Sequence, residues 1–279
     1  MKLARGMVGV VTGAASGLGR SLALQFAARG LAVVLADVEA APLADAVAQV
    51  EAAGVQALGV PTDVRSGDQV AALAAVTLER FGRVDVVVNN AGVSTTPGPM
   101  WSGEVGDWEW VLSVNLWGVV HGVRAFVPHL VAQNSGHVVN TASMAGVSAG
   151  PFLGAYMTSK HAVVGLSEGL AADLAIAAPG VGVTVVCPGQ MTTNIVTADR
   201  NRPENFAGVD RAFDEAEIRA VTEWMATVSG PEITADVAAA VVVDAIEANR
   251  LHVAPNGSIT GVRTRVERLL DDLAAGLAP

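Results

Sequence analysis

Short β-branched runs alternate along the chain with longer Ala-rich stretches. Strands are predicted at residues 7–11, 32–36, 56–60, 84–88, 137–141, 183–187 and, shorter, 251–254. These runs are continuously apolar, as in Val84, Val86, Val87 and Val88, so both faces of each strand are expected to be covered. Between strands, apolar positions recur at helical spacing. Val70, Leu73, Ala74, Leu78 and Phe81 share one face and predict an amphipathic helix over 69–81. The pattern is that of an α/β chain with a doubly wound Rossmann fold: a seven-stranded, mostly parallel sheet with helices on both faces.

No fixed-period repeat, low-complexity tract or Pro/Gly/Ser linker divides the 279 residues, so a single domain spanning 1–279 is expected. One shift in composition lies between Met191 and Glu223, where charges of both signs cluster with Phe206 and Phe213. Ligands of doubly wound sheets sit beyond the carboxyl ends of the strands, so a segment at about 190–230 is read as a substrate lid.

Composition narrows the function classes. With 17 Lys and Arg against 27 Asp and Glu, the net charge is −10, which repels phosphate backbones and argues against nucleic acid as a partner. Cys187 is the only cysteine, which excludes an intramolecular disulfide and a multi-thiolate zinc cage and fits a reducing cytoplasm. The five histidines show no metal-ligand spacing, so no metal is expected. No uninterrupted apolar run reaches the roughly 18 residues of a membrane span. Lys2 and Arg5 before an apolar stretch weakly imitate a signal peptide, but the stretch reads as the first strand.

Two constellations carry chemistry. The first is Thr12, Gly13, Ala14, Ala15, Ser16, Gly17, Leu18 and Gly19, placed between the first strand and the first helix. Glycines there let the backbone turn sharply and approach a pyrophosphate, whose charge meets the N–H groups and positive dipole end of a helix. Asp37 ends the second strand 18 residues after Gly19, close to the roughly 20 expected for an acid that binds a ribose 2′-hydroxyl. Its charge repels the 2′-phosphate of NADP, while Val38, Glu39 and Ser16 add no positive charge, so NAD is preferred and NADP remains the alternative.

The second constellation is Tyr156, the only tyrosine, with Lys160 four residues on. Positions i and i+4 share a helix face, so the ammonium can approach the phenol. A free tyrosine has a pKa of about 10, and a nearby cation favours its phenolate, suiting it to general acid/base work. Ser143, just beyond the fifth strand, offers a hydroxyl to orient a substrate oxygen, with Ser148 and Ser159 as rivals.

Together with Asn89, Asn90, Ala91, Gly92, Asn115, Pro188 and Gly189 in this order, these motifs resemble the short-chain dehydrogenase/reductase family, strongly over about 6–189 and by fold to about 255. The resemblance implies that Tyr156 exchanges the substrate proton, and that Lys160 lowers the phenol pKa and holds the nicotinamide ribose. By the same resemblance Ser143 positions the substrate oxygen, and Asn115 holds a relay water. It further implies that Asp63 and Val64 contact adenine and that Asn90, Ala91 and Gly92 line the cofactor cleft, with Pro188, Gly189 and Met191. Thr193, or its neighbour Thr192, would bond the carboxamide.

The leading reading is an NAD-dependent oxidoreductase interconverting a secondary alcohol and a ketone. The alternatives are a 3-oxoacyl thioester reductase using NADPH and a non-catalytic dinucleotide-binding protein. Met100, Trp101, Val147, Phe152, Met191, Phe206, Phe213 and Trp224 are the pocket candidates, and their bulk predicts a hydrophobic substrate over a polyol. The resemblance also implies a homotetramer paired through 104–131 and 154–177. Near the terminus, Val262, Val266, Leu269, Leu270 and Leu273 form an apolar stripe that packs on its own domain or on a neighbour.

Overall fold

The computed structural model describes residues 1–206 and 214–276. The elements run β1 (Val8–Thr12), α1 (Gly17–Ala28), β2 (Ala32–Asp37), α2 (Ala40–Ala52), β3 (Ala57–Pro61), α3 (Gly67–Phe81) and β4 (Val86–Asn89). They continue with α4 (Val105–Leu112), α5 (Gly118–Gln133), β5 (Gly136–Thr141), α6 (Gly154–Ala177) and β6 (Val181–Val186). The last are α7 (Glu215–Val228), α8 (Ala235–Glu247), β7 (His252–Val253) and α9 (Ile259–Gly276). All seven expected strands are present, with ends displaced by one or two residues.

The strands form one sheet of order β3-β2-β1-β4-β5-β6-β7, and every pairing is parallel. Strand order reverses between β1 and β4, which opens a crevice beyond their carboxyl ends. The covered faces account for the continuous apolar runs. Val11, Val33 and Leu35 pack against Leu22, Phe26, Leu43, Val50, Val243 and Ile246 of α1, α2 and α8. On the opposite face Val10, Val34, Val87 and Val138 meet Val70, Leu73, Phe126, Leu130 and Leu174 of α3, α5 and α6. Burying one such large side chain stabilises the fold by about 1.5–3 kcal/mol.

Local chemistry sets the element ends. The Ser66 hydroxyl accepts a bond from the Gln69 N–H at 3.3 Å, Asp68 and Arg80 lie at the ends their charges favour, and Gly82 closes α3 with φ +71°. Between α4 and α5, residues Ser113–Trp117 form a π-turn, so that Val105–Gln133 is one continuous helix. Its apolar runs are interrupted by Asp107, Glu109, Arg124 and Pro128, yet by length and composition this one helix could cross a membrane. Mean hydropathy reaches 1.3 over one window of that helix, because charges that interrupt the apolar run do not interrupt the helix. Half of the window is nevertheless buried inside the protein, as befits a core helix. The terminal stripe lies on α9, where no residue is buried and Leu269, Leu270 and Leu273 are exposed.

A buried polar chain ties the sheet to α6 directly beneath the crevice. Asn89 Nδ2 donates to Asn140 Oδ1 at 2.8 Å, Asn140 Nδ2 to Ser167 Oγ at 3.0 Å, and Ser167 Oγ to the Val163 carbonyl at 2.7 Å. At the opposite end of the sheet, buried His137 meets Thr184 Oγ1 through Nε2 at 2.8 Å. The same hydroxyl donates to the Arg250 carbonyl, so Nε2 carries the proton. Burial pushes the His137 pKa down to about 3, whereas an unfolded histidine titrates near 6.5. Between these values the unfolded chain binds the extra proton, so stability falls as pH drops from about 6.5 towards 3 and is unaffected by this group above that window. Thermal unfolding across pH 4–8 should show the decline in the native chain and a shallower one in His137→Gln.

Candidate functional site

The crevice holds a cavity of about 780 Å³. One end is built by the turn after β1. Gly13 and Gly17 take φ of +64° and +51°, and a Cβ on Gly19 would stand 2.1 Å from the Gly13 carbonyl oxygen, so the turn is closed around a position that admits no side chain. Ser16 precedes α1 without capping it through its side chain, leaving the first turn of the helix to an anionic ligand. Thr12 Oγ1 accepts from the N–H groups of Asn90 and Ala91 at 2.9 and 3.1 Å, and Asn90 Nδ2 returns to the Thr12 carbonyl at 3.0 Å. These bonds clasp the ends of β1 and β4.

Asp37 stands beside this turn and lines the same cavity. Its Oδ2 accepts from the Ala15 N–H at 2.9 Å and its Oδ1 from the Glu39 N–H at 3.0 Å, which fixes the carboxylate as an acceptor at the position expected for a ribose diol. Gly13, Ser16, Gly17, Leu18, Asp63, Val64, Asn90, Ala91, Gly92, Pro188, Gly189, Met191 and Thr193 also line the cavity, and Gly19 lies buried behind the turn. The glycine cradle, the open helix end and the fixed carboxylate fit a dinucleotide. Thr192 is turned away, with its hydroxyl bonded to Glu232 at 2.7 Å.

The other constellation meets at the middle of the cavity. Tyr156 lies in the first turn of α6 and Lys160 one turn on. Ser143 follows β5; its hydroxyl accepts from the Ala145 N–H at 3.1 Å and lies where it favours the Tyr156 phenolate. The approach requires Gly146, where a Cβ would lie 2.6 Å from the Lys160 carbonyl oxygen, so the turn after β5 rests directly on the backbone of α6. The rival hydroxyls are committed elsewhere: Ser148 donates to the Met144 carbonyl and Ser159 to the Tyr156 carbonyl, each at 2.6 Å.

Lys160 is 2% exposed, and its Nζ donates to the Thr141 carbonyl at 3.0 Å, 5.6 Å from the centroid of the Tyr156 ring. Burial pulls its pKa down to about 8, so it is still mostly protonated at neutral pH. Here the structure departs from the expectation of an acidified phenol. Burial raises the Tyr156 pKa, opposed by Ser143, and the Lys160 ammonium is bonded to a main-chain carbonyl rather than to the phenol oxygen. Asn115 sits in the π-turn; its side chain bonds both the N–H and carbonyl of Val93 and donates to Ser159 at 3.0 Å. A Cβ on Gly92 would lie 3.5 Å from both Asn115 Oδ1 and Lys160 Nζ, so the two flank one small residue at the cavity wall.

The pocket candidates divide. Met191 and Trp224 line the main cavity, while Met100 and Phe152 line a side cavity of about 370 Å³ that shares Tyr156 with it. Trp101 is 87% exposed, Val147 packs into the core behind the site, and Phe206 packs under the Arg65 guanidinium 5.4 Å from its ring centroid, so none of these three belongs to the pocket. Phe213 lies outside the described residues. Sequence reading missed two arginines. Arg200 reaches Glu39, and Arg202 lies over the Trp110 ring and pairs with Asp107 at 2.6 Å; these partners are 161 and 95 residues away in sequence, beyond any local signal. Among the described residues no cluster of three or more His, Cys, Asp or Glu side chains could hold a metal ion.

Comparison with known proteins identifies the family. Residues 7–204 match the family model described as short chain dehydrogenase. The chain is 40% identical over 189 residues to 1-deoxy-11-beta-hydroxypentalenate dehydrogenase of Streptomyces exfoliatus, covering 67% of this chain and 68% of that one. It is 29% identical over 277 residues to a CLA biosynthesis dehydrogenase/reductase of Lactiplantibacillus plantarum, covering 98% and 96%. Among solved structures, a short chain dehydrogenase/reductase from Burkholderia phymatum in complex with NAD superposes with a TM-score of 0.89 at 40% identity, covering 98% of this chain and 97% of that one.

Gly19→Ala should open the turn after β1, because its added methyl meets main chain rather than a yielding side chain. Overpacking of this kind costs about 1–3 kcal/mol. A fluorescence titration with NADH is expected to show binding weakened by at least about tenfold, the equivalent of 1.4 kcal/mol.

Proposed function

The chain belongs to the short chain dehydrogenase family, and from that membership we propose that this oxidoreductase uses NAD to interconvert a hydrophobic secondary alcohol and its ketone. The observation that carries the reading is the convergence of Tyr156, Ser143 and Lys160 on one cavity that ends at Asp37 and the glycine turn. NAD is supported by the Asp37 carboxylate, held by two main-chain N–H groups, and by the NAD complex of the Burkholderia phymatum relative.

The nicotinamide, when bound, gives or accepts the hydride at the substrate carbon. Asp37 would hold the adenosine ribose, the first turn of α1 the pyrophosphate, and Lys160 with Thr193 the nicotinamide half. In reduction Tyr156 donates its phenol proton to the carbonyl oxygen, and in oxidation it takes the proton of the substrate hydroxyl. Ser143 donates a hydrogen bond to that same oxygen and holds it opposite the phenol. Lys160 keeps a positive charge beside the ring, which favours the phenolate when the proton leaves. Asn115 completes the set by holding a water through which Lys160 exchanges protons with solvent.

The substrate preference rests on the apolar walls formed by Met191, Val221, Trp224 and Met225, with Met100 and Phe152 in the side cavity. The segment at about 190–230 would act as the lid over that pocket. Assembly follows the same reading: Trp117 and Ile176 are 53% and 88% exposed on the long helices 105–133 and 154–177, and pairing through these helices would give a homotetramer. Sedimentation velocity should then give a species of four chains, and a monomer at micromolar concentration would reject the assembly.

Tyr156→Phe should lower kcat by at least about 100-fold while leaving NADH binding intact, since the phenol oxygen acts in the proton transfer. Steady-state rates on aromatic and aliphatic ketones, paired with an NADH titration, read both. A Phe variant with near-native turnover would reject the role given to Tyr156.

A further inference from the structure

A cation from a distant segment stands beside Asp37 in the cavity, although the residues next to Asp37 in sequence, Val38 and Glu39, are not basic. Arg200 closes the 3₁₀ segment Asn194–Asn201, and its Nη1 donates to the carbonyls of Asn194 and Thr197 at 3.1 and 2.9 Å, which anchors the guanidinium to its own turn. The opposite edge makes a fork with Glu39: Nε to Oε1 and Nη2 to Oε2, both 2.9 Å. Glu39 is two residues beyond Asp37 and donates its N–H to that carboxylate, and the Asp37 charge also acts on Arg200. Asp37, Glu39 and Arg200 line the same cavity, and the pair is only partly buried, with side-chain exposures of 36% for Arg200 and 21% for Glu39.

Building on the dinucleotide reading above, we propose that Glu39 is a cofactor-specificity residue acting through Arg200: it occupies the edge of the guanidinium that would otherwise receive a 2′-phosphate. A guanidinium edge is matched to phosphate as well as to carboxylate, and one fork cannot serve both. With Glu39 in place, the three side chains carry a net charge of −1, from two carboxylates and one guanidinium, facing a phosphate dianion. Replacing Glu39 by Gln brings the trio to zero and frees the fork, while the bonds from Nη1 keep Arg200 in place. Glu39 thus acts by masking the free edge of Arg200, in addition to the direct repulsion by Asp37.

The test is the ratio of Kd for NADPH to Kd for NADH, from fluorescence titrations of the native chain, E39Q and E39Q/R200Q. A freed guanidinium fork forms charge-assisted bonds to phosphate, so the ratio should fall by about tenfold or more in E39Q. The double variant restores the trio's net charge of −1 without the fork, and its ratio should return close to the native value. An unchanged ratio in E39Q that still binds NADH overturns this proposal alone. A double variant that falls as far as E39Q shows that Arg200 is not the agent and overturns it too. A native chain that binds neither nucleotide overturns the cofactor reading and this proposal with it.

Discussion

The site depends on a buried ammonium bonded to the last carbonyl of a strand. Lys160 Nζ reaches the Thr141 carbonyl at the end of β5, and this bond fixes the rotation of α6 relative to the sheet. Burying an unpaired charge is costly, so the helix settles where the carbonyl meets it. An ammonium has three N–H donors, and one such bond leaves capacity for a ligand in the cavity that Lys160 also lines. The same rotation places Tyr156 against Ser143, while the chain from Asn89 through Asn140 and Ser167 to Val163 holds the helix farther along. Stability and chemistry therefore share one set of contacts.

Burial pushes the phenol up and the ammonium down, each towards its neutral form. The buried site already holds one charge, because Lys160 retains most of its proton at neutral pH, and Ser143 opposes the rise at Tyr156. Low dielectric surroundings would also strengthen any positive charge introduced beside the phenol.

Much of this was legible in the residues. Continuous apolar runs announced a sheet covered on both faces, and the glycine turn and Asp37 were legible as neighbours at the carboxyl edge of the sheet, because those features are local in sequence and dictated by backbone geometry. Tyr156 and Lys160 were legible for the same reason, as neighbours on one helix face. Trp101 and Phe206 misled because bulk predicts burial without saying against what; one faces solvent and the other an arginine. The ion pair of Glu39 with Arg200 joins residues 161 apart, and its formation depends on how the segment after β6 folds back across the crevice. The bond partner of Lys160 was equally hidden, since a main-chain carbonyl leaves no trace in residue type.

Gly146 has a consequence for how such a molecule can change. Main chain rests on main chain there, so the floor under the reacting groups has no side chain to exchange and tolerates almost no novelty. The opposite wall is made of Met191, Val221, Trp224 and Met225 on the segments after β6, where single replacements alter shape without moving the floor. Descendants of this sequence can therefore explore new substrates while inheriting an unaltered reaction.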